Sequence, residues 1–190
     1  PGLDLARGLT AHQLSSSIKL TAQTRSRGRE TAAQLVSRLT GLMEKAAGRV
    51  GHIGHQATAV ALGAVRGAIQ AAGGTSPAEK KELAQEAVRA TVEALGKTPA
   101  DAKDILRGAA YGAVLGASEA GLAPGPIAAQ TVKAARQAAG DLGLSERDAS
   151  LAAARAAVAS ADHLDQEAAA KVKEAVLGEL IRNRDEKGQP

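Results

Sequence analysis

Cysteine, phenylalanine and tryptophan are absent from this 190-residue chain, and Tyr111 is its only aromatic residue. Without cysteine there is no disulfide framework, no thiolate nucleophile and no cysteine-based zinc site. Without aromatics a sheet loses much of its usual material, since strands favour aromatic and β-branched side chains. A single-stranded nucleic acid would find no row of rings to stack on. Long apolar runs are missing too. The longest candidate, Gly108 to Ser118, is 11 residues between Arg107 and Glu119, short of the roughly 20 that a membrane-spanning helix needs.

What is present is alanine, 45 residues of it, beside 37 Leu, Ile and Val. Alanine is the best helix former, so the chain reads as all-α. The aliphatic share lies just under the fifth that marks disorder when net charge is also high, but net charge is only +4. A folded protein with a thin core is expected. Burial gains about 25 cal/mol per Å² of apolar surface, so alanines contribute little each, and assembly with another surface would add stability. The sequence opens on Pro1 rather than Met, as a processed or partial product would, and nothing in it selects a compartment.

Charge divides the chain. Residues 1–50 hold eight Lys and Arg against three acidic residues, whereas 51–190 hold sixteen basic against seventeen acidic. With glycines clustered at Gly48, Gly51 and Gly54, this predicts a basic helical arm over 1–50, a helical domain over 51–182 and a frayed tail over 183–190. Ser76-Pro77-Ala78-Glu79 has the form of a capping box with proline at the first helical position. Thr98-Pro99-Ala100-Asp101, Ser145-Glu146-Arg147-Asp148 and Asp165-Gln166-Glu167 mark further starts, and glycines at Gly73-Gly74, Gly96, Gly121 and Gly140/Gly143 mark stops. The punctuation predicts helices over 56–72, 77–95, 99–119, 126–140, 146–162 and 166–182.

These helices repeat. Val60 to Ile69 aligns with Ile105 to Val114 at a spacing of 45, and Ala87 to Gly96 with Thr131 to Gly140 at 44. A third copy starts at Ala152–Ser160 and ends in the shorter Val172–Val176. The expected architecture is tandem helical hairpins of about 45 residues, an α-solenoid-like stack or a multi-helix bundle. The first helix of each pair carries small residues at every fourth place: Gly63, Gly67, Ala71; Gly108, Gly112, Gly116; Ala152, Ala156, Ser160. Glycine inside a helix costs about 1 kcal/mol relative to alanine. Such a ridge implies close approach of another backbone, within the domain or on a second copy.

The arm has its own candidates. Val36, Leu39, Met43, Ala46 and Val50 share one helical face, and Lys19, Arg25, Arg27 and Arg29 form the basic cluster. That cluster suits a partner protein, anionic lipid headgroups or, with less support, nucleic-acid phosphates. The alanine-rich, cysteine-free amphipathic helices share a composition, and no motif, with the phasins that coat bacterial storage granules. His52 and His55, three apart, are the only metal-ligand candidates; without further ligands they read as polar residues at a helix entry. No cofactor is expected and no catalytic residue stands out. The carboxylates sit in first helical turns or on exposed faces, and neither a nucleophile elbow nor a phosphate loop occurs. The expectation is a non-enzymatic scaffold that binds a protein partner or itself through the arm and the ridges. Peripheral attachment to anionic lipid or a hydrophobic granule is the alternative, and non-specific nucleic-acid binding a third.

Overall fold

The computed structural model describes residues 57–71, 77–96 and 101–186. Among them are six α-helices and no strand: α1 (Ala57–Ala71), α2 (Pro77–Gly96), α3 (Ala102–Glu119), α4 (Pro124–Gln137), α5 (Glu146–Ser160) and α6 (Gln166–Glu186). A 3-10 turn, Ala161–His163, follows α5. The expected all-α class is what forms.

Local side chains set the helix ends. Asp101, expected inside the first turn of a helix starting at 99, is itself the N-cap. Its backbone is extended (φ −64°, ψ 121°) and its carboxylate accepts from the Lys103 N–H at 2.7 Å, so α3 begins at Ala102. At Ser145 the hydroxyl accepts from the Asp148 N–H at 3.0 Å and donates to the Asp148 carboxylate at 2.8 Å. This reciprocal pair ties down the start of α5. Asp165 caps α6 by accepting from the Ala168 N–H at 2.8 Å. Helix α3 stops at Gly121, whose φ of +70° lets the Leu122 N–H turn back to the Ala117 carbonyl at 2.8 Å. Helix α4 starts at Pro124 rather than 126, because proline is tolerated in a first helical turn. It ends at Gln137, where the chain enters the turn closed by Gly143. Helix α6 continues through Glu186, four residues beyond the expected boundary at 182.

Packing follows a simple order. Helix α1 packs on α3 and α3 on α5, while α2 packs on α4 and α4 on α6. Each odd helix also meets the even helix that follows it, and α2 and α4 reach the next odd helix. The core is correspondingly alanine-rich, with Val65, Ile69, Val88, Leu95, Ile105, Leu106, Val114, Val132 and Val172 among its few large fully buried side chains. Small side chains let helix axes approach closely, which suits a core with little bulk to interdigitate.

Candidate functional site

The closest approach lies between α1 and α3. A Cβ built on Gly108 would stand 2.2 Å from the Thr58 carbonyl oxygen, and one on Gly112 2.4 Å from that of Leu62. On Gly116 it would meet the Arg66 Cα at 3.0 Å and the Ile69 Cβ at 3.3 Å. The contacts advance together along both chains, so the two helices run parallel. Thr58, Leu62, Arg66 and Ile69 thus form a seat for the glycine line of α3. Two polar links fasten it. The Thr58 hydroxyl donates to the Asp104 carbonyl at 3.2 Å, and Arg66 Nε donates to Glu119 Oε2 at 2.8 Å. The second Arg66 nitrogen and the Gln70 amide also reach the Glu119 carboxylate. The glycine line of α3 is therefore occupied within the chain.

Positions expected on sequence grounds fall into three groups. Gly108, Gly112 and Gly116 face α1 as described. Gly63 and Gly67 are buried on α1, and Ala152, Ala156 and Ser160 are buried on α5. Lys19, Arg25, Arg27, Arg29, Val36, Leu39, Met43, His52 and His55 lie outside the described residues. Among the described residues, no three His, Asp or Glu side chains gather as metal ligands would.

Two grooves offer surface to a partner. A polar one runs between α2 and α4, about 440 Å³, lined by residues that include Gln85, Glu86, Arg89, Lys133, Gln137 and Asp141. The Gln130 Oε1 on its wall is buried and accepts no hydrogen bond from the described residues. Its charges are mostly engaged locally, as Arg89 with Glu86 at 2.7 Å. A second groove, about 330 Å³, lies between α5 and α6 and is almost wholly apolar: Leu151, Ala154 and Val158 on one wall, Val176, Leu177 and Leu180 on the other. Arg155 and Lys173 stand on opposite walls, and neither makes an ion pair among the described residues. Leu177 (58% exposed) and Ile181 (52%) are the exposed large hydrophobics of the described chain.

These groove residues were not singled out by the sequence reading. Leu177 and Ile181 sit among apolar neighbours on a helix that also buries Val172 and Val176, and periodicity alone cannot tell a covered face from an uncovered one. One signal was present. At a spacing of 89, Leu62, Arg66 and Ile69 align with Leu151, Arg155 and Val158, so the seat of α1 recurs on α5.

Elsewhere the charged groups serve the helices that bear them. Glu167 accepts a hydrogen bond from Lys171 one turn on, which with its negative charge holds the exposed Lys171 ammonium above its ordinary pKa. Lys103 and Asp148 link the first turns of α3 and α5 at 3.9 Å. No described helix is long and apolar enough to cross a membrane. Compared with protein-family models, curated proteins and solved structures, the chain finds no match in any of the three.

Proposed function

We propose that the protein is a non-enzymatic helical scaffold built of tandem hairpins, acting by holding another protein. The observation that carries this reading is the uncovered apolar groove between α5 and α6, flanked by the unpaired Arg155 and Lys173. Monomers seldom leave clustered large hydrophobics in water without a use for them, and the last unit of a helical stack ordinarily turns a polar face outward. The order of helix contacts supports a stack in which α1–α2, α3–α4 and α5–α6 are successive hairpins. The matching spacings of 45 and 44 residues support it from the sequence side. In this reading the basic arm is a second contact region, through Lys19, Arg25, Arg27 and Arg29.

Light scattering on the eluting peak, with quantitative cross-linking, tests the proposal on the intact chain. The chain is compared with two full-length variants, one carrying Leu177→Lys and Leu180→Lys, the other Arg25→Ser, Arg27→Ser and Arg29→Ser. The scaffold reading expects a defined complex that one or both variants lose. A chain that remains a monomer, with no complex to lose in any of the three forms, overturns it.

A further inference from the structure

We infer that the α5–α6 groove receives a single α-helix from another protein. That helix carries small residues at every fourth position and a carboxylate three residues beyond the last of them. The inference rests on the stacked-hairpin reading and names the partner's chemistry. Its basis is the filled seat on α1. There Leu62, Arg66 and Ile69 receive Gly108, Gly112 and Gly116, and the guanidinium of Arg66 binds Glu119, three residues past Gly116. Leu151, Arg155 and Val158 recur at the corresponding positions of α5 and line the open groove. What differs is occupancy. Arg155 has no carboxylate, Leu177 is more than half exposed, and Lys173 adds a second unpaired cation.

The charges narrow the occupant. The arm over 1–50, with eight basic and three acidic residues, is mismatched to a groove that already holds two cations. A second copy's α1 is mismatched too, since α1 contains no acidic residue and both of its glycines are already buried. A helix with a backbone-deep contact line and a flanking carboxylate satisfies both the apolar floor and Arg155.

The occupant of the filled seat supplies the probe. A copy of residues 101–119 is joined after residue 190 of the full chain by a flexible Gly/Ser linker of about ten residues, which keeps its local concentration high. Tm is expected to rise by about 5 °C, and amide exchange at Leu177–Ile181 to slow by about tenfold. Replacing the three glycines of the appended copy by leucine should abolish both effects, as should Leu177→Lys in α6. Glu119→Gln in the appended copy should reduce the rise. No rise at all, an undiminished rise with the leucine copy, or one indifferent to Leu177→Lys overturns the inference. A rise that Glu119→Gln leaves unchanged overturns its charge component. A dimer of the unextended chain that Leu177→Lys dissociates would assign the groove to self-assembly instead, and binding of anionic vesicles lost with Leu177→Lys would assign it to a membrane. The stack is tested separately by Gly112→Leu in native α3: unchanged stability there overturns the stacked-hairpin reading, whatever the appended helix does.

Discussion

Helices α1 and α5 present the same three residue positions to opposite fates. On α1, Leu62, Arg66 and Ile69 are covered by α3, and Ile69 is fully buried. On α5, Leu151, Arg155 and Val158 border a groove open to solvent. Side-chain character is nearly conserved between the two seats, so the difference lies in the neighbour. The filled seat is closed by three residues without side chains, which bring the α3 backbone within contact of the α1 carbonyls. Parallel Cα–H···O contacts and dense packing are the return for glycine's poor helix propensity.

The largest test of that contrast is Gly112→Leu. With the Cβ position 2.4 Å from the Leu62 carbonyl oxygen, α1 and α3 must separate, and we expect a loss of about 3 kcal/mol or more by chemical denaturation. A loss under about 0.5 kcal/mol would show that the contact matters little to stability. Next, Ile69→Ala should cost about 3 kcal/mol through the cavity it leaves, while Val158→Ala at the open seat should cost under about 1 kcal/mol. Equal losses would mean the two seats are equally covered in solution. Smaller again is the charge term. Arg66→Ala should cost under about 1 kcal/mol, because Arg66 and Glu119 are each about one-third exposed, and the cost should shrink further in high salt. Arg155→Ala, having no ion-pair partner to lose, should leave the melting curve in place. Last, Leu177→Lys should change stability by no more than about 0.5 kcal/mol while improving solubility; a clear loss would show that Leu177 is buried by something in the free chain.

The sequence made much of the fold legible, and its gaps have physical causes. Ser145 and Asp165 announced their helices because capping depends on neighbours three residues away, within reach of any local reading. Asp101 misled by three residues, since Thr98-Pro99 offers an equally plausible start and only the extended backbone at Asp101 decides between them. The glycine line of α3 announced that some backbone must come close. It could not say whose, because a helix face is blind to which neighbour covers it. The open groove was hidden for the same reason: Leu177 reads like Val176 until a second helix is seen to cover one and not the other. The polar groove between α2 and α4 is built from residues 45 or more apart, such as Gln85 and Gln130, and no local pattern joins them.

Tyr111 meets His163 edge to face, with ring centres 5.8 Å apart at 65°. Because no other aromatic residue exists in the chain, all of its tyrosine fluorescence and near-ultraviolet dichroism originate at this one junction between α3 and the turn after α5. The protein thus carries its own optical gauge, requiring no label, of whether the final hairpin is seated on the rest of the molecule.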